Sequence, residues 1–199
     1  MIPRRSCLVL VFATAAASFA CAHPHVFINN KMTLLFDGGV LKGMSFRWVF
    51  DDMFSEMILT DFKPDVDGSF SDKATSQIKS GAFDNLENYH YFLAFFVGKK
   101  PLKKIRIEQF TPSVMEGKLV YSFFVPLDLP VMTEEQTVRV TVYDDTYFVA
   151  FDLMHADDVV VKGNQGISVG LSIEKTKVKP VWPGQYMPDQ LVIRFKEGS

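Results

Sequence analysis

Of the four histidines in this chain, His23 and His25 flank a single proline, while His90 and His155 stand far from them. Imidazole nitrogen is the commonest protein ligand for zinc, nickel and copper ions. If the chain is cut after Ala22, His23 becomes the first residue, and its α-amine and ring nitrogen can chelate one ion while His25 adds a third nitrogen. Pro24 rules out the square-planar arrangement that binds through the amide nitrogen of the second residue, because proline has no N–H to lose. An ion held at His23 and His25 therefore recruits distant residues. The candidates are His155, which precedes Ala156-Asp157-Asp158, and the carboxylates of Asp144 and Asp145 in Tyr143-Asp144-Asp145-Thr146-Tyr147. Both cysteines, Cys7 and Cys21, precede the expected cut, so the donors are nitrogen and oxygen and no disulfide framework is expected.

The cut itself is read from the first residues. Arg4 and Arg5 lead an apolar run from Cys7 to Ala20, and Ala20 and Ala22 place small side chains where signal peptidase inspects them. That pattern is a secretory signal over residues 1–22 and makes the mature protein periplasmic. A competing reading attaches lipid to Cys21, but Phe19 puts a bulky aromatic where a small or aliphatic residue is usual. Loss of Arg4 and Arg5 leaves 19 of the 21 basic residues against 23 acids, which takes the net charge from −2 to −4. No nucleic-acid partner is expected from that balance. No other apolar run approaches the ~20 residues needed to span a bilayer, so stable membrane insertion is not expected either.

Residues 23–199 are expected to form a single β-rich domain. Val26, Ile28, Met32, Leu34 and Phe36 alternate with polar residues, as a strand with one buried face requires. Asp37-Gly38-Gly39 predicts a tight turn, and Val40, Met44, Phe46, Trp48 and Phe50 predict the returning strand. The same alternation puts His23 and His25 on the face opposite Val26 and Ile28, together with Asn29, Lys31 and Thr33. Apolar spacing of three and four then predicts helices over roughly 52–61 and 72–87. Strand-like runs follow at 91–97, 105–110, 119–125, 138–143, 147–153, 167–173 and 191–195, with a turn at 98–101. The expected class is mainly β (α+β), a β-sandwich-like domain with a pair of helices inserted at about 52–87.

Other motifs have structural explanations. Asp51-Asp52 sits where a helix N-cap is needed. In the acidic loop around Asp65, Asp67 and Gly68, a calcium-loop alignment places Lys63 and Ala74 at the first and twelfth positions, where carboxylates belong, so calcium is not expected. His90, between Tyr89 and Tyr91, fits a core or stacking role. The methionines fit packing, with Met32 and Met44 on core faces and Met53 and Met57 an i, i+4 pair. No nucleophile elbow, phosphate loop or His-Glu-x-x-His helix is present, and no catalytic residue or organic cofactor is assigned.

Three segments, His23-Pro24-His25-Val26-Phe27, Trp48-Val49-Phe50-Asp51-Asp52-Met53-Phe54-Ser55 and Tyr143-Asp144-Asp145-Thr146-Tyr147-Phe148, resemble in that order a bacterial family. Its members are labelled periplasmic components of uncharacterised ABC-type transport systems, and the ZevA type is associated with nickel/cobalt-type permeases. The resemblance implies capture of zinc or nickel and its presentation to an inner-membrane permease, with His23, His25 and Asp144 as ligands; His155 rests on the local reading alone. Two alternatives stand beside it. One is a periplasmic copper carrier. The other is a metal-free domain docking a membrane transporter through exposed aromatics such as Trp182 and Tyr186.

Overall fold

The computed structural model describes residues 24–152, 154–176 and 187–198. The expected pair of strands is present as β1 (Val26–Asp37) and β2 (Val40–Phe50), antiparallel and joined through Gly38 and Gly39. Both glycines have positive φ, 54° and 72°, the geometry that lets a two-residue turn match the twist of its strands. Every even-numbered residue from Val26 to Phe36 is buried, whereas Phe27, Lys31 and Asp37 are exposed. Asn30 is the polar member of the buried row. Its side-chain oxygen accepts a hydrogen bond at 3.0 Å from the indole N–H of Trp48, its partner across the ladder. A buried indole N–H without that acceptor would lose its partner, at about 1–3 kcal/mol.

After β2 come α1 (Asp52–Asp61) and α2 (Asp72–Ile78). The first matches the expected helix; the second ends nine residues early. Beyond Ile78 the chain widens into a π turn over Lys79–Phe83 and then tightens into 3-10 geometry over Asp84–Phe92. The cause is packing. Ile78 and Phe83 are both buried, and residues five apart fall on one side of a π turn rather than of an α-helix. Phe83 stacks on Phe110 at 4.1 Å and meets Tyr121 and Phe123 at 5.8 and 5.2 Å.

The remaining strands are β3 (Leu93–Val97), β4 (Lys100–Pro101), β5 (Glu108–Met115), β6 (Lys118–Pro130), β7 (Gln136–Val142), β8 (Val149–Phe151), β9 (Val159–Lys162), β10 (Ile167–Lys175) and β11 (Asp189–Glu197). They form two sheets. The first runs β5-β6-β2-β1-β8, with β9 also on the free edge of β1; the second runs β10-β11-β7-β3-β4. Their inner faces meet through pairs such as Phe46 with Phe95 and Phe36 with Phe195, at 6.2 and 5.7 Å. The β-sandwich-like class with a helical insertion is therefore correct. The sequence reading missed β4, where a turn was expected, and β9. The run expected at 105–110 is displaced, since β5 begins only at Glu108.

The edge of β1 has a split partner. β8 pairs parallel with it from Val26 to Ile28, and β9 pairs parallel from Met32 to Leu35. Between them the chain leaves the sheet, and two outward side chains of β1 hold the departure and the return. Asn29 donates to the Asp152 carboxylate at 2.9 Å, and Lys31 to Asp158 at 3.2 Å.

Candidate metal-binding end

His25 stands at the open end of β1 and is exposed, on the face away from Val26 and Ile28, as the alternation required. Its backbone N–H donates to the carbonyl of Phe148 at 2.8 Å, and its ring lies 5.1 Å from the Phe148 ring. The parallel pairing of β8 with β1 thus carries the end of the Tyr143–Phe148 turn to this histidine. His23, together with the Ala22 junction and Cys21, lies outside the described residues, as do Trp182 and Tyr186.

Asp144 has a different post. It is buried, and its carboxylate accepts from the Thr146 N–H at 2.8 Å, from the Thr146 hydroxyl and from the Val149 N–H at 2.9 Å. Those bonds fold the turn and start β8, so in this arrangement Asp144 positions Phe148 beside His25 while its own oxygens face inward. An ion taken by Asp144 would have to displace the hydroxyl of Thr146. Its neighbour Asp145 is exposed. Burial, with the Asp145 carboxylate adding to it, pushes the Tyr143 phenol above its ordinary range.

His155 is exposed at the start of the short 3-10 turn Ala156–Asp158, and its backbone N–H donates to the Asp158 carboxylate at 3.0 Å. It opens the excursion between β8 and β9 rather than the His25 end. Among the described residues no three histidine, cysteine, aspartate or glutamate side chains gather closely enough to hold one ion.

Asp51 does what its position before α1 implied, and more. One carboxylate oxygen caps the helix by accepting from Phe54 N–H at 2.8 Å, and the other accepts from Phe27 N–H at 2.6 Å. It therefore ties the start of β1 to the start of α1. Asp52 is exposed and pairs with Lys118. In the acidic loop, Asp67 accepts from both the backbone and the hydroxyl of Ser69, and these bonds hold its carboxyl below the usual range. The Lys63 ammonium donates to the Leu59 carbonyl at 2.8 Å.

His90 corrects the expected core role: it is exposed, and its neighbours Tyr91 and Phe92 do the packing. All three have positive φ, between 52° and 56°. A left-handed residue with a side chain costs about 1–2 kcal/mol, so a run of them persists only where burial, here of Tyr91 and Phe92, offsets it. The turn ends beside the candidate site, with the Phe92 carbonyl accepting from Tyr143 N–H at 2.9 Å. Sequence reasoning missed both this turn and the partnership of Phe148 with His25. The glycine-free run Tyr89-His90-Tyr91-Phe92 carries no local signal for positive φ.

A two-sheet β domain with a helical insertion, bearing a solvent-facing histidine where an exposed strand end meets a tight acidic turn, defines the class. The chain belongs to the family described as a protein of unknown function, DUF1007, whose model matches residues 8–180. It is 30% identical over 128 residues to an "Uncharacterized 15.5 kDa protein in trpE 3'region" of Spirochaeta aurantia, covering 64% of this chain and 91% of that protein. It is also 30% identical over 132 residues to an "Uncharacterized protein" of Haemophilus influenzae, covering 65% of this chain and 62% of that one.

Proposed function

We propose that this protein binds a divalent transition metal, zinc or nickel, in the periplasm and presents it to an inner-membrane permease. The observation that carries the reading is His25: an exposed imidazole at the first turn of a strand, two residues after His23 and pointed away from the core. After cleavage behind Ala22, the α-amine and ring of His23 join the His25 ring as nitrogen donors, a set that suits these ions. Asp145, exposed on the neighbouring turn, is available as an oxygen donor. Asp144 acts by holding that turn. The transporter part rests on the resemblance to periplasmic components of ABC-type and nickel/cobalt-type systems.

The test is calorimetry with zinc and with nickel on protein whose first residue is verified as His23, beside His23→Ala and His25→Ala. The expected result is at least about a tenfold loss of affinity in each variant, the weight of one ligand in a small site. Unchanged affinity in both removes the reading. Copper outranks zinc at most nitrogen sites, so affinity order does not separate a copper carrier from a zinc carrier; the metal content of natively purified protein does.

A second reading, a metal-free docking domain, is favoured by the exposed aromatics that surround His25. Phe27 and Phe148 are 51% and 54% exposed. Partner binding that persists in excess chelator and is lost in Phe148→Ser would select it.

A further inference from the structure

The outer face of the first sheet carries a cleft of about 500 Å3 bordered by β1, β2, β6 and β9. It begins near Lys31, six residues and therefore ~20 Å along β1 from His25, so it stands apart from the candidate metal end. That volume falls within the range of sites that enclose small organic ligands.

Its charges are arranged unusually. Lys31 and Arg47 face each other directly across the β1–β2 ladder. Like charges so placed destabilise a sheet unless something neutralises them. Asp158 neutralises Lys31. Arg47 has no such acid among the described residues: the hydrogen-bond partner of its guanidinium there is the thioether of Met115, a weak acceptor. A third cation, Lys162, borders the cleft from β9, opposite Leu35 in the parallel register, and forms no ion pair among the described residues. The hydroxyls of Thr33, Ser45 and Ser122 also line the space, and none has a side-chain hydrogen-bond partner among the described residues. Ser122 is the ladder partner of Arg47 on β6, so a hydroxyl and a guanidinium stand side by side.

The floor between these groups is apolar. Phe124 lies against the bare backbone of Gly43, where an added Cβ would come within 2.7 Å of the ring. Leu35 and Val160 extend that surface. Asp157, the remaining acid, is exposed at the rim.

We propose that this cleft binds a small organic oxyanion, its carboxylate or phosphate held by Arg47, Lys162 and the adjacent hydroxyls and its apolar body laid on Phe124 and Val160. The guanidinium fork matches planar or tetrahedral oxyanions through paired N–H donors. The apolar floor selects an organic acid over an inorganic ion. Lys31, already paired, contributes field rather than contact.

The test is a heteronuclear NMR titration of the full chain with phenylacetate, phenyl phosphate and inorganic phosphate. At least one aromatic oxyanion is expected to shift amides of Lys31–Leu35, Ser45–Arg47, Ser122–Phe124 and Val160–Lys162, at about fivefold or more higher affinity than inorganic phosphate, the contribution of an apolar body on an apolar floor. The phosphate and carboxylate arms together show which headgroup is preferred. Arg47→Gln is expected to weaken binding about tenfold or more. Val160→Glu, which sets a carboxylate on the floor without touching the cations, is expected to abolish it, and Asp157→Asn to strengthen it a few-fold. Thermal melting of each variant, unchanged within a few degrees, certifies the fold. Absence of saturable shifts with all three probes at millimolar concentration overturns the proposal. So do shifts that map elsewhere, or affinity unaffected by both Arg47→Gln and Val160→Glu.

Discussion

The two faces of the β1–β2 hairpin are made of the same backbone and serve opposite ends. The inner face, with Ile28, Met32, Leu34, Phe46 and Trp48, is almost wholly excluded from water and admits one polar side chain, Asn30, paired to Trp48. On the outer face, His25, Lys31, Thr33, Ser45 and Arg47 remain in contact with solvent. There, the hydroxyls of Thr33 and Ser45 have no side-chain hydrogen-bond partner among the described residues, and two cations, Lys31 and Arg47, are placed directly opposite each other. Polar groups buried on the inner face must be satisfied within the protein, whereas those on the outer face can be satisfied by water, which is what leaves them open to the ligand proposed for the cleft.

The largest expected effect tests the inner face. Trp48→Ala removes a fully buried indole that meets Phe123 and Phe151 at 4.8 and 5.4 Å, and leaves Asn30 without its donor. Chemical denaturation is expected to show a loss of about 3–5 kcal/mol, and a loss below about 1 kcal/mol would mean the core is not packed as described. Next comes the edge that carries one wall of the cleft. Gly163 follows β9 with φ of 74°, and an added Cβ would sit 1.9 Å from the Phe36 carbonyl oxygen. Gly163→Ala is expected to cost roughly 1–3 kcal/mol and to loosen β9, visible as faster amide exchange at Val159–Lys162.

Substitutions on the outer face should do little to stability. His25→Ala and Thr33→Ala are each expected to change it by less than about 0.5 kcal/mol, even though His25→Ala removes a proposed ligand. A loss above about 1 kcal/mol at either position would break the contrast between the faces. The smallest effect concerns the exposed Asp67, whose folded pKa lies below its unfolded value because Ser69 bonds its charged form. A depressed carboxylate stabilises the fold at neutral pH, and that term fades as pH falls through and below the ordinary carboxylate range. Melting temperatures from pH 6 down to pH 3 should therefore fall slightly less steeply in Asp67→Asn than in the parent.

How far residues speak for themselves differs from element to element. The start of α1 was legible because Asp51 is a capping side chain at the right offset, and the bond to Phe54 N–H is where that rule puts it. The end of α2 was not, because nothing local distinguishes an α from a π turn there; the decision came from burying Phe83 against Phe110, Tyr121 and Phe123. His25 was read correctly as outward-facing. The commitment of Asp144 to its own turn was unreadable, since a carboxylate next to threonine serves equally as ligand or as turn former.

What the chain determined by itself is therefore whatever repeats over a few residues. Alternation chose the faces of β1 and β2, glycines with positive φ closed their turn, and side-chain caps began the helices. What only the tertiary structure decided is which distant strands share an edge. The splitting of the edge of β1 between β8 and β9 sets Asn29 against Asp152 and Lys31 against Asp158, and raises the wall that turns an outer face into a cleft. Local steric and hydrophobic periodicity orients a side chain, but the choice of partner is made by burial and hydrogen bonding between segments more than a hundred residues apart, and no short stretch of sequence contains both halves of that choice.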